Sequence, residues 1–94
     1  MPIYTTQTWT IAGEHNFDNG GFKLLNPSMT VRSVSLGNNN TVSVALCITE
    51  DGGIYEHYSS ANYTNSAGAT DIDVIVNAAM ASAFPTATVT PELA

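Results

Sequence analysis

From Thr41 to Thr49 the chain alternates without a break. Val42, Val44, Leu46 and Ile48 fall on one side, and Thr41, Ser43, Ala45, Cys47 and Thr49 on the other. A period of two sustained over nine residues describes a strand with one buried face. Glu50-Asp51-Gly52-Gly53 then supplies turn residues, and Ile54 to Ser59 is β-prone again, so the segment reads as a β-hairpin. Met29 to Leu36 precedes it as another strand, joined through Gly37 to Asn40, whose residue types tolerate positive φ. The three segments predict an antiparallel meander.

The rest of the chain is arranged around that meander. Ile3 to Ile11 alternates, with Ile3, Thr5, Gln7, Trp9 and Ile11 on one side and a threonine-rich row on the other, and it predicts an N-terminal strand. Gly13 to Gly21 reads as a loop anchored by Phe17, with a turn signal at Asn19-Gly20. Phe22 to Leu25 is open to a brief strand, ended by Asn26-Pro27. Ser60 to Ala69 is small and polar and reads as a loop. Thr70 is placed to cap a helix, with Asp71 and Asp73 at the positive end of its dipole. Ile72, Ile75, Val76, Ala79 and Ala83 recur at helical spacing, widened by Met80 and Phe84, and Pro85 stops the helix. Thr86 to Thr90 is open to a last strand. The expected fold class is α+β: a small antiparallel sheet, a β-meander, covered by one C-terminal helix. The helix face at Ile72, Ile75, Val76 and Ala79 would pack on Val42, Val44, Leu46 and Ile48. Ninety-four residues make a single domain, 1–94, with residues 1–12 and 85–94 as candidate β-arms or tails.

Composition removes several functions. Only 11% of the residues are charged, and Lys23 and Arg32 stand against eight acids for a formal charge of −6. Phosphate-directed nucleic-acid binding and attachment to an anionic membrane both need clustered bases. The acids are scattered rather than dense, which argues against a DNA mimic. No apolar run is long enough to span a bilayer, and Met1 to Thr10 has neither the basic nor the apolar region of a signal peptide. The sequons at Asn39 and Asn62 therefore read as products of an Asn- and Thr-rich chain. Cys47 is the only cysteine, so no disulfide forms within the chain.

No residue set calls for a cofactor, a metal or a catalytic role. His15 has Glu14 beside it and Asp18 three residues on, but a metal needs three or four converging ligands, and the segment reads as a polar surface loop. Only convergence with the distant His57 would change that. Glu56 and His57 alternate along a strand and face opposite ways, so they are no acid–base pair. Cys47 has no activating partner in sequence and reads as a small packed residue. The Gly20-Gly21 and Gly52-Gly53 pairs lack the lysine of a phosphate loop and read as turns. Glu50 and Asp51 lack the spaced ligands of an EF-hand.

What remains is surface. Tyr4, Trp9, Tyr55, Tyr58 and Tyr63 fall on expected strands or beside them, offering flat apolar area with hydrogen-bonding edges. With Ile3 and Val89 on the β-prone ends they are the candidate interface residues, against the simpler reading that they furnish the core and its rim. The ends carry little charge and are suited to adding strands to neighbours. The threonine-rich opening Tyr4-Thr5-Thr6-Gln7-Thr8-Trp9-Thr10, the Val42-to-Tyr58 hairpin with its Glu50-Asp51-Gly52-Gly53 turn, and the final helix with Phe84-Pro85 together resemble, in manner, small structural proteins of tailed-bacteriophage virions. That resemblance implies a non-enzymatic, repeated head, neck or tail component, assembled in the host cytoplasm and located in the virion. Its partners would be its own copies and other structural proteins. The alternative is a small module that binds a glycan or a host protein. A small enzyme inhibitor, which needs only a surface, is the third reading.

Overall fold

The computed structural model describes residues 3–17, 22–50, 53–66 and 68–93. In chain order its strands and helix are β1 (Thr8–Thr10), β2 (Glu14–Phe17), β3 (Phe22–Leu25), β4 (Ser28–Leu36), β5 (Thr41–Thr49), β6 (Glu56–Thr64), α1 (Ile72–Ala83) and β7 (Thr88–Thr90). The meander is present as β4-β5-β6, all antiparallel, and it extends through β1 and β7 into a five-stranded sheet of order β6-β5-β4-β1-β7. Strands β2 and β3 pair with each other as a separate hairpin. The fold is α+β, with one helix near the C-terminus.

One face of the large sheet holds the core. A single row across all five strands runs Val89, Trp9, Met29, Ile48 and His57. The expected inward set of β5 is fully buried: Val42, Val44, Leu46 and Ile48 are at most 2% exposed. The face of α1 at Ile75, Val76, Ala79 and Met80 joins the same core, with Ile72 at its edge. Each large aliphatic side chain removed from water in this way contributes about 2 kcal/mol. The hairpin of β2 and β3 adds Phe17 and Leu24 to the core, and Phe17 lies 6.0 Å from Phe84 at the end of α1.

A β-bulge keeps β4 in step with that core. Val31 pairs with Leu46 and Ser33 with Ala45, so Arg32 is the extra residue. Met29 and Val31 point inward before the bulge. After it Val34 and Leu36 take the inward positions, opposite Val44 and Val42. An unbroken alternation would have turned Ser33 and Ser35 inward instead.

Several boundaries differ from expectation, each for a local reason. Ile3–Thr6 is a 3-10 turn rather than strand, and β1 begins only at Thr8. There the Thr6 hydroxyl donates to Ile3 O at 2.9 Å, Gln7 N–H donates to Tyr4 O, and Tyr4 N–H donates to Asp73 Oδ1 at 2.8 Å. Those bonds satisfy the backbone locally and outcompete a ladder. Glu14–Phe17, expected as loop, is a strand because β3 offers a partner and Phe17 an anchor in the core. Its base is clamped: Gly13 N–H donates to Asn26 Oδ1 at 2.7 Å, and Asn26 N–H donates to Gly13 O at 2.8 Å. β6 runs to Thr64 rather than ending at Ser59, since nine-residue β5 pairs along its whole length and Ala61 and Tyr63 continue the inward alternation. The helix cap is Asp71, one residue after Thr70, and its carboxylate accepts from Asp73 N–H at 2.9 Å. The Gly37-to-Asn40 turn is as expected, with Asn39 and Asn40 at φ of 59° and 61°. The Asn19-Gly20 turn, and Asp51-Gly52 within the hairpin turn, lie outside the described residues.

The two ends, 3–12 and 85–93, meet in the sheet. β1 pairs with β4 on one side and with β7 on the other. Gln7, 1% exposed, fastens this junction: its amide nitrogen donates to Asn77 Oδ1 at 3.1 Å and to Pro91 O at 3.0 Å, and its Oε1 accepts from Asn77 Nδ2 at 2.9 Å.

Candidate interaction surface

The outer face of the large sheet is built by the same alternation that makes the core. Its end row reads Thr88, Thr10, Ser28, Thr49 and Glu56 across β7, β1, β4, β5 and β6. Further along, Ser35, Ser43 and Asn62 form another polar row, and Ser43 Oγ donates to Asn62 Oδ1 at 2.7 Å. Small hydroxyl and amide side chains therefore pave the face, with Tyr58 standing out of it at 64% exposed. Arg32 on the bulge and Glu56 at one edge are its only charged residues among those described. No element of the described chain covers it, because α1 and the β2–β3 hairpin both add their apolar residues to the opposite side.

The interface candidates read from sequence are distributed over several surfaces. Trp9 is 3% exposed and lies in the core row, so its ring offers no outer contact area. Tyr4, Tyr63 and Val89 are partly buried and pack against the core rim. Ile3 is 41%, Tyr55 74% and Tyr58 64% exposed. Tyr55 has Ile54 beside it at 86%, and the two form the most exposed apolar pair of the described chain. Ile54 was not singled out in the sequence because it reads as the first residue of the return strand. β6 instead begins at Glu56, which leaves Ile54 outside the sheet.

The candidates for chemistry separate in the same way. His15 packs edge-on against Phe17 at 4.6 Å and Phe84 at 5.7 Å between ring centres. His57 lies on the inner side of β6 and Glu56 on the outer side, as alternation requires. Asp18 lies outside the described residues. Among the described residues no group of three or more His, Cys, Asp or Glu is placed to hold a metal ion. Cys47 is buried at 5% exposure although it belongs to the outer face; Tyr58 is its neighbour across β6 and Thr30 across β4. Its thiol donates to Glu56 Oε2 at 2.8 Å. Burial first, then the bond to and the charge of Glu56, push the thiol above its ordinary 9.0, against a lowering pull from Arg32. A thiol held protonated is a poor nucleophile. Among the described residues, no buried side-chain nitrogen or oxygen lacks a hydrogen-bond partner, and no helix is long and apolar enough to cross a membrane.

No protein-family model matches the chain, and no curated protein or solved structure is significantly similar to it.

Proposed function

We propose that this chain is a non-enzymatic structural subunit, repeated in a larger assembly and acting through protein–protein contacts. The observation that carries the reading is the uncovered outer face of the five-stranded sheet, with Arg32 and Glu56 as its only described charges. A free protein usually studs such a surface with Lys and Glu, which keep copies apart. Here β6, nine residues long, forms one edge of the sheet, and it contains no Lys and no Pro to discourage pairing. The setting that the sequence resemblance suggests is a bacteriophage virion, as a head, neck or tail component.

A second reading has one specific support. Tyr58, 64% exposed, stands on the outer face between Glu56 and Ser60 of its own strand, an arrangement suited to stacking a sugar ring while the carboxylate and hydroxyl on either side bond its hydroxyls. Sedimentation velocity over a concentration series separates the two. Assembly predicts species heavier than the 9.9 kDa chain that grow with concentration. A monomer at every concentration that binds on a glycan array would favour the second reading and sink the first.

A further inference from the structure

Strand β6 is one edge of the large sheet, and the groups it turns to the open side follow from its register. Asn65 N–H donates to Asn40 O at 2.8 Å, one step beyond the Thr41–Thr64 pair and in line with it. In an antiparallel ladder, pairs that exchange hydrogen bonds alternate with pairs whose backbone groups point apart. The bonded pairs with β5 are therefore Tyr63–Val42, Ala61–Val44, Ser59–Leu46 and His57–Ile48. Glu56, Tyr58, Ser60, Asn62 and Thr64 turn their N–H and C=O groups away from the sheet, and all five residues are exposed. At the far end Thr64 O accepts from Ser66 N–H at 2.9 Å. No strand of the described chain lies against this edge. It also lacks the devices that keep an edge single, which are chiefly Lys, Pro and bulges. β6 contains none of them and pairs with β5 over nine residues without a shift.

We infer that β6 pairs with β6 of a second copy, antiparallel about a two-fold axis at Ser60, so that two five-stranded sheets continue as one of ten. The inference rests on the assembly reading and names its contact. Outward N–H and C=O groups at every second residue call for another strand. β7, the opposite edge of the same sheet, is three residues long and runs into Pro91, so it cannot fill a nine-residue edge. β6 fills itself. In the one antiparallel register that overlaps all nine residues, Ser60 faces Ser60, Tyr58 faces Asn62 and Glu56 faces Thr64. Each residue with outward backbone groups then meets another, so the Ser60 pair and both Tyr58–Asn62 pairs exchange two hydrogen bonds apiece. Charge selects the same arrangement. Each chain carries a formal charge of −6, yet the only charged residue of β6 is Glu56 at its end, and this register sets the two Glu56 residues about 27 Å apart by strand rise. On the core side the axis is flanked by small residues, Ser59 opposite Ala61 of the second copy. A cleft of about 330 Å³, lined by Ser59 to Asn62, His15 and Phe84, keeps the end of α1 and the β2–β3 hairpin clear of the strand there. A two-fold contact closes as a dimer, so a larger particle is built from this dimer through other surfaces.

Because Ser60 faces itself, charge at that one position tests the axis. Ser60→Lys sets two ammonium groups against each other, and Ser60→Glu two carboxylates; like charges directly opposite oppose pairing. Ser60 is exposed, so both variants should keep the wild-type melting temperature and tryptophan emission. By sedimentation velocity each variant alone should be monomeric at concentrations where the wild type associates. Mixed in equal amounts they should recover a dimer of about twice the 9.9 kDa chain, since Lys then faces Glu. In the associated wild type the amide protons of Tyr58, Ser60 and Asn62 should exchange more slowly as concentration rises. Variants that associate like the wild type would overturn the β6 contact and leave the assembly reading in place. So would variants that stay monomeric when mixed, or amide protons of the three residues that ignore concentration. A wild type that is monomeric throughout would overturn both.

Discussion

Replacing Gln7 probes whether the two ends of the chain belong to the folded body. Its side chain makes three hydrogen bonds, two to Asn77 and one to the carbonyl of Pro91, and it is 1% exposed. A neutral intramolecular hydrogen bond contributes about 1 kcal/mol net. Gln7→Ala removes all three, while half-buried Asn77 regains some water, so the expected loss is about 3 kcal/mol. For 94 residues the total stability is on the order of 5–14 kcal/mol, so the loss is a large share of it. In a domain of this size each kcal/mol moves the melting temperature by about 4–8 °C, and Gln7→Ala should melt roughly 12–24 °C lower. Gln7→Glu is the sharper variant. It has nearly the same shape but sets an anion against Asn77 Oδ1 and Pro91 O, the two acceptors that the amide nitrogen now serves. It should destabilise at least as much as Ala, although it leaves no cavity. Trp9, the only tryptophan, is buried two residues away and reports unfolding by its emission in urea. A Gln7→Ala protein within about 0.5 kcal/mol of wild type, the range of an ordinary surface substitution, would refute the docking of residues 3–11 and return the ends to the status of arms.

Three smaller perturbations follow from single contacts. Asp71→Ala removes the carboxylate that accepts from Asp73 N–H and should cost about 1 kcal/mol in urea denaturation, whereas Thr70→Ala should be near neutral; the reverse order would place the cap back on Thr70. A Cβ at Gly53 would stand 3.0 Å from Glu50 O and 3.3 Å from Glu50 Cβ, so Gly53→Val should strain the contact with Glu50 and lower the melting temperature; an unchanged melting temperature would show that Glu50 gives way at no cost. Cys47 should react slowly with iodoacetamide at pH 8. Its thiol is raised in the folded state, so the folded chain holds that proton more tightly than the unfolded chain. Its contribution to stability is therefore full below pH 9 and fades as pH rises through the folded value; Cys47→Ser should flatten that alkaline decline, and an unchanged profile would show that Cys47 is not its source.

Much of the fold was legible because burial and pattern agree. β5 matches its sequence boundaries to the residue, since its partners on both sides and the core beneath it all enforce one register. The helix and its stop at Pro85 were legible for the same reason. The bulge in β4 was not legible in the sequence, where Met29 to Leu36 reads as one plain strand; the break in alternation at Arg32-Ser33 becomes a bulge only once the register with β5 is known. The strand β2 was not legible, because Glu14-His15-Asn16-Phe17 is polar but for one residue and becomes a strand only against β3. The C-terminal half of β6 was hidden by small polar residues that face the outer side. The 3-10 turn at Ile3–Thr6 was hidden by threonine itself, which favours strands by propensity yet here donates to the backbone three residues earlier. For the surface, aromatic residues were the right type of signal, but sequence could not separate Trp9, which the sheet buries, from Tyr55 and Tyr58, which it exposes. That distinction depends on where β6 begins and which side of the sheet α1 takes.

The assembly reading is tested most directly by the mass of the wild-type chain in sedimentation velocity over a concentration series. It predicts species heavier than the 9.9 kDa chain that grow with concentration. A monomer at every concentration would contradict it.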